Sequence, residues 1–303
     1  MILERNKSYK GDCIELMKSL PDESVDVICT DPPYLYLKNQ KLDRPFDEKA
    51  YFDQVKRVLK KDGFIILFGR GTSFYRWNTI LADLGFTFKE EIIWDKSYTT
   101  SSMHPISRCH ETIAIWGINS GINSVRIDYL EAKDANYESM HNDLKRIKSA
   151  LNNPKELAAM ASYLEERIVE YGDDKKRGYN TTIQGVSKEQ PRSVKTLQCI
   201  TEGMKEKSII RVKREHYNTI HPTQKPPRLL ERLLALVCKV EPNNPKPLVL
   251  DTFRGSASTD IACMNFGVDC ISFEIDDEYF EKGEERKAEH RKNLQPDLFK
   301  IAL

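Results

Sequence analysis

Two short runs in the chain carry groups able to do chemistry. The first is Asp31-Pro32-Pro33-Tyr34, which follows directly on the apolar run VDVICT. Two consecutive prolines fix φ near −65° and remove two N–H donors, so a stiff turn is left whose carbonyls have no ladder to join. A carboxylate beside a rigid, unpaired carbonyl makes a pair of hydrogen-bond acceptors held in one place. An Asp-Pro-Pro turn closing an ordinary strand, with Tyr34 packed down on it, accounts for the same four residues without chemistry. The second run is DTFRGSAS from Asp251, followed by a helix, a strand and Glu274. Gly255 lets backbone approach a ligand, the turn and the next helix N-terminus can receive a carboxylate, and Glu274 is placed for ribose hydroxyls. This is the pattern of a nucleotide-type cofactor site. It lacks the three glycines of a dinucleotide fingerprint, which argues against NAD.

Both acids need strands to present them. Residues 25–30 form a continuous, partly β-branched run of the kind found in parallel strands buried on both faces, and it puts Asp31 at the carboxyl end, where open α/β sheets hold ligands. Residues 11–20 read as a short helix before it. After it, an amphipathic helix over 48–61 buries Phe52, Val55, Val58 and Leu59, Gly63 lies just past its end, and strand 64–68 follows. Helix 73–84 and strands 88–94 and 111–116 complete a β-α-β-α-β-β series, which implies a parallel sheet with an antiparallel edge. The α/β rhythm returns after His221, with an apolar helix over 226–240, strand 247–251, helix 257–266 ended by Gly267, and strand 268–273.

Between these halves the pattern changes. Asn153-Pro154-Lys155-Glu156 is a helix start, and Leu157, Ala161, Leu164, Ile168 and Tyr171 then line one face to Gly172, as a core or dimer face does. The 173–216 stretch has few periodic apolar residues and reads as an insertion partly ordered by its partner. From Lys175 to Arg214 eleven Lys/Arg stand against three acids, a surplus of +8, although the whole chain carries only +1. Such a concentration can neutralise backbone phosphates; a solvated basic loop is the alternative.

With 303 residues, 40% hydrophobic and 31% charged, the chain has the size and composition of a soluble α/β domain with an insertion. No stretch has the apolar length that spans a bilayer and the first residues lack the core of a secretion signal, so a cytoplasmic protein without a membrane partner is expected. Seven cysteines without a C-x-x-C pair and six scattered histidines predict neither disulfides nor a metal site.

DPPY at 31–34, HPTQKP at 221–226, and D-x-F-x-G-S at 251–256 followed by Glu274 together resemble the amino-methylating DNA methyltransferases, of the β-type order with the catalytic motif first. The resemblance covers about residues 8–117 and 219–290. It implies S-adenosylmethionine (SAM) as cofactor and a Rossmann-like, doubly wound α/β sheet with permuted motifs. Residues 1–117 would then be the catalytic half, 118–216 a target-recognition insertion and 217–303 the SAM-binding half. By motif match Asp31, Pro32, Pro33 and Tyr34 would form the catalytic loop, with Asp31 also beside the cofactor. Asp251, Phe253, Gly255 and Ser256 would form the SAM loop, Glu274 the ribose acid and Asp12 the adenine contact, while His221, Thr223 and Lys225 would lie near the amino-acid end. Trp94 and the His110-Glu111 pair match further sheet motifs, with no chemical role assigned. Family members usually show D-P-F-x-G-S-G-T-T where this chain has D-T-F-R-G-S-A-S-T, and a left-handed backbone at Ala257 would cost about 1 kcal/mol. The usual Asn after Tyr34 is replaced by Leu35.

The chemistry so implied explains the residues. The exocyclic amine of adenine is a poor nucleophile because its lone pair is delocalised into the ring. Acceptors on both N–H bonds, the Asp31 carboxylate and the Pro32 carbonyl, pull the nitrogen toward tetrahedral geometry and favour the transition state. The base must leave the duplex to reach such a pocket, and Tyr34 can stack on it. Aspartate in first position, where cytosine enzymes more often carry serine, favours the N6 of adenine in double-stranded DNA. N4-cytosine methylation, the same chemistry on RNA or a protein glutamine, and a non-catalytic nucleic-acid-binding partner are the alternatives. A homodimer and a companion restriction endonuclease are left open.

Overall fold

The computed structural model describes residues 3–34, 43–98, 105–166, 191–215 and 219–294. The chain forms two compact units, Met1–Asn123 with Lys207–Leu303, and Ser124–Glu206. In chain order the first unit begins β1 Lys7–Lys10, α1 Cys13–Met17, β2 Val25–Thr30, α2 Glu48–Val58, β3 Leu59–Gly69, α3 Gly71–Asp83, β4 Thr87–Asp95 and β5 His110–Gly117. The second unit holds β6 Arg126–Ile127, α4 Tyr129–Lys133, α5 Tyr137–Leu151, α6 Pro154–Glu166, α7 Arg192–Glu202 and β7 Met204–Lys205. The first unit then resumes with β8 Ile209–Arg211, α8 Pro227–Val237, β9 Leu248–Asp251, α9 Ser258–Phe266, β10 Asp269–Glu274 and α10 Asp277–Leu294.

One sheet organises the first unit, in the order β1-β10-β9-β2-β3-β5-β4-β8. All neighbours pair in parallel except β5, which runs antiparallel to both β3 and β4. The reversed strand is therefore internal and not the expected edge, because β4 returns past it to pair with β8. Side-chain alternation buries both faces. Ile65, Leu67, Leu250 and Phe273 join α1, α2 and α3 in one core, while Ile66, Phe68, Val249 and Cys270 are equally buried on the other face. The two apolar layers are those of a doubly wound sheet, and the chain reverses its winding between β2 and β9, which pair Val27 with Val249 and Ile28 with Leu250. Ligands bind outside the carboxyl ends at such a point.

Several expectations shift. The 48–61 helix stops at Val58, since Leu59 already pairs with Val25 as strand. The expected boundaries at 117 and 216 move to 123 and 207. Asn123 is tied to α8 through the Leu236, Ala235 and Cys238 carbonyls, and β8 belongs to the main sheet. Within 173–216, α7 is a regular helix packed by Val194 and Leu197 against α5 and α6. Residues 175–190 of the basic stretch lie outside the described residues, as do Ile168 and Tyr171. Helix α6 does start on Asn153, whose side chain accepts from Lys155 N–H at 3.1 Å, but its packed face is Met160 and Tyr163; Leu157 and Leu164 are exposed. No described helix is long and apolar enough to cross a membrane.

Candidate active site

The carboxyl ends of β1, β10, β9, β2 and β3, with the start of β5, meet along one edge of the sheet. A cleft of about 250 Å³ opens there, and every residue assigned by motif lines it: Asp12, Asp31, Pro32, Pro33, Tyr34, His221, Thr223, Lys225, Asp251, Phe253, Gly255, Ser256 and Glu274.

On the β2 side, Asp31 is held at both oxygens. The Tyr34 hydroxyl donates to Oδ1 and the Lys225 ammonium to Oδ2. Ser73, in the first turn of α3, donates to the Tyr34 carbonyl at 2.8 Å, and the Tyr34 ring lies 6.2 Å from Trp77, so the loop is braced from outside. Among the described residues no donor reaches the Pro32 carbonyl, and Pro33, lacking an N–H, adds none. Lys225 is 7% exposed and also stands 3.3 Å from Glu111 Oε2, while the Lys96 ammonium donates to Glu111 Oε1. Burial alone would lower the Lys225 pKa; the Asp31 and Glu111 carboxylates outweigh it and hold the ammonium above its ordinary range. Burial likewise pushes Glu111 up, and Lys225 and Lys96 reverse that and keep it below the usual carboxylate range.

On the β9 side, Asp251 accepts from Phe253 N–H at 3.1 Å. Gly255 takes φ +52°, donating its N–H to Glu274 Oε2 at 2.7 Å, and Asp276 N–H donates to Oε1 at 2.9 Å. Glu274 is thereby aimed by two backbone donors, and burial holds its pKa above the ordinary value. Gly11 donates to the Glu274 carbonyl at 2.9 Å, and Asp12 caps α1 through Ile14 and Glu15 N–H. A Cβ on Gly255 would stand 3.5 Å from the His221 ring, which packs edge-on to Tyr279 at 4.5 Å. Burial and the Lys225 charge hold His221 down at about 4, so it is neutral near pH 7.

The three departures from the usual loop have distinct consequences. Thr252 closes a ring of hydroxyls, 2.9 Å from Thr30 and 2.7 Å from Tyr51, with Thr30 and Tyr51 3.1 Å apart. Arg254 is buried and bonds Asp260 at 3.0 Å, Glu284 at 2.5 Å and the Phe280 carbonyl at 3.2 Å, tying the loop to α10. Ala257 is left-handed at φ 61°, ψ 26°, as N-cap of α9, so the strain foreseen for a non-glycine residue is present.

Sequence reasoning missed Glu111, Lys96, Arg44, Phe46 and Asp276. Glu111, Arg44, Phe46 and Asp276 line the cleft, and Phe46 reaches Phe253 at 5.3 Å. Glu111 and Lys96 had left a signal, the first in the His110-Glu111 pair and the second at the end of the IIWDK run around Trp94.

The site can be tested for fit to SAM. Asp251 is 4% exposed, and burial pushes its carboxyl up to about 7. Among the described residues no Lys or Arg pairs with it, so it is a buried acid lacking a cation. A cofactor carrying a sulfonium and an ammonium supplies that charge, the Gly255 turn admits close approach, and Glu274 offers acceptors at the next strand end. The residues fit the group.

A doubly wound sheet with an internal reversed strand and a cofactor turn facing an Asp-Pro-Pro-Tyr loop defines a SAM-dependent methyltransferase. The family model for N6/N4 "DNA methylase" matches residues 25–285, and the chain belongs to that family. It is 26% identical over 312 residues to Type II methyltransferase M.HinfI of Haemophilus influenzae, covering 95% of this chain and 70% of that one. It is 26% identical over 284 residues to DNA adenine methyltransferase YhdJ of Escherichia coli, covering 90% and 79%. Among solved structures, the M1.HpyAVI–SAM complex aligns with a TM-score of 0.51 at 19% identity, over 92% of this chain and 98% of that one. The cofactor is SAM.

Proposed function

We propose that the protein methylates the exocyclic N6 of adenine in double-stranded DNA. The observation that carries this reading is the placement of Asp31 and the Gly255 turn on one cleft, either side of the β2/β9 switch. Asp31 and the Pro32 carbonyl accept the two N–H bonds of the target amine, and the acceptors are held before the reaction begins. The bound cofactor supplies an electrophilic methyl group at the cleft. Asp251, Glu274 and Asp12 hold its charged and hydroxyl groups, and neutral His221 walls the Gly255 turn. Tyr34 gives up its hydrogen bond to Asp31 and stacks on the extruded base, worth about 1–3 kcal/mol. The 124–206 unit reads the target sequence, with the basic residues around it contacting phosphates.

Support for adenine over cytosine is the aspartate at position 31 and the named activity of YhdJ, an adenine methyltransferase. The test is incubation with methyl-labelled SAM and unmethylated DNA, followed by nucleoside separation. Label in N6-methyl-2′-deoxyadenosine is expected; label in N4-methyl-2′-deoxycytidine refutes the base assignment, and label only on RNA or protein refutes the substrate.

A further inference from the structure

Four alternating charges run in from the cleft: Asp31 just past the end of β2, Lys225 before α8, Glu111 as the second residue of β5, and Lys96 after β4. The arrangement depends on β5 being reversed, because only an antiparallel strand begins at the edge where its neighbours end. Asp31 is the most exposed of the four, with 24% of its side chain exposed, against 8% for Lys225, 14% for Glu111 and 8% for Lys96.

We propose that Glu111 is a positioning residue for methyl transfer: by holding the Lys225 ammonium from behind, it keeps Lys225 from neutralising Asp31 and fixes the carboxylate in the orientation that accepts the target amine. The inference rests on the proposed reaction. Lys225 is shared between two carboxylates, so Asp31 keeps acceptor strength that a private ion pair would remove. Glu111 Oε2 is buried, and the Lys225 ammonium 3.3 Å away is its ion-pair partner, held off the angle of a good hydrogen bond. A buried carboxylate oxygen held in so loose a contact calls for an explanation, and the sharing of Lys225 with Asp31 supplies one. The Lys225 ammonium lies 5.1 Å over the Phe68 ring, which walls it on the sheet side. The remaining charges nearby are Arg214, which bears on Lys96, and His221, neutral near pH 7. Removing Glu111 leaves burial opposed by Asp31 alone, so Lys225 loses its proton at lower pH and the orientation of Asp31 is lost with it.

The test is Glu111→Gln, assayed at saturating SAM and DNA across alkaline pH, with SAM affinity measured by calorimetry. The expected result is a fall in kcat of about 100-fold, the loss that misplacing a reacting group brings. An alkaline limb absent from the wild type should appear, SAM affinity should be unchanged, and Glu111→Asp should partly recover the rate. Unchanged kcat and pH profile overturn the inference, as does a loss of SAM affinity in step with kcat, which would place Glu111 in cofactor binding. Should Glu111→Gln fail to fold, Glu111→Gln combined with Lys96→Met removes one charge of each sign and is read the same way. A wild-type protein inert on DNA overturns the proposed reaction and this inference with it; an active wild type with an indifferent Glu111→Gln overturns the inference alone.

Discussion

With Asp251 as the proposed partner of the cofactor's positive charge, SAM binding should be a proton-releasing step. The Asp251 carboxyl is pushed up to about 7, by burial first and by the Asp260 and Asp31 charges in addition, against hydrogen bonds from Thr259 and Phe253 N–H that pull it down. A cation placed beside it favours the ionised form, so binding SAM expels a proton wherever the free protein still holds one. With the free value at about 7 and the carboxylate kept ionised in the complex by the cofactor's charge, apparent affinity at pH 6 should lie about tenfold, or about 1.4 kcal/mol, below that at pH 8. Glu274, also raised, adds in the same direction. Asp251→Asn isolates the contribution, since the amide cannot titrate and the slope between pH 6 and 8 should flatten. Calorimetry in two buffers of different ionisation enthalpy reads both affinity and proton release. The same shift has a stability consequence. A carboxyl whose folded value is raised stabilises the fold below its ordinary value, and that contribution is lost as pH rises through about 7. The cofactor-free protein should therefore lose melting temperature relative to Asp251→Asn over that interval. Affinity independent of pH with no proton released, or an Asp251→Asn variant that keeps the slope, refutes the reasoning.

Two further substitutions test the cofactor turn. Ala257→Gly removes a left-handed alanine and should cost nothing in chemical denaturation, against about 1 kcal/mol for the same change inside a helix; a full loss of that size contradicts the strain at φ 61°. Arg254→Met breaks a buried cluster in which Lys287, 3.3 Å from Asp260, cannot replace the guanidinium's bonds, and should destabilise by about 3 kcal/mol; a change under 1 kcal/mol would mean that the loop is not tied to α10.

The strands that carry the site were legible because they are buried on both faces. VDVICT is mostly apolar and LVLD apolar up to its acid, each run leading into the carboxylate it presents, and Gly255 marks the turn after the second while Gly267 ends α9 ahead of β10. Other elements carried no such signal. Strand β1 is KSYK, an edge strand paired only with β10, and polar at three of four positions. Helix α10 shows no apolar stripe, because what it buries is Gly283 and Lys287, a lysine placed inside by Ser8 and Asp260. The face of α6 was misread because Leu157 and Leu164 follow helical spacing as well as Met160 and Tyr163 do, and only the partner helices decide between them. The motif residues were found by type and spacing. Glu111 and Lys96 were not found as site residues because their approach to Asp31 depends on the reversed strand, and strand direction is a property of the whole sheet.

The central claim is that Asp31 acts on the target amine while the β9–β10 edge holds the cofactor, two tasks on facing walls of one cleft. The direct measurement is single-turnover methyl transfer to DNA by Asp31→Ala, with SAM affinity determined on the same preparation. Transfer should be lost while the cofactor still binds as in the wild type. Retained transfer, or a loss of SAM binding that alone explains the lost rate, would contradict the account.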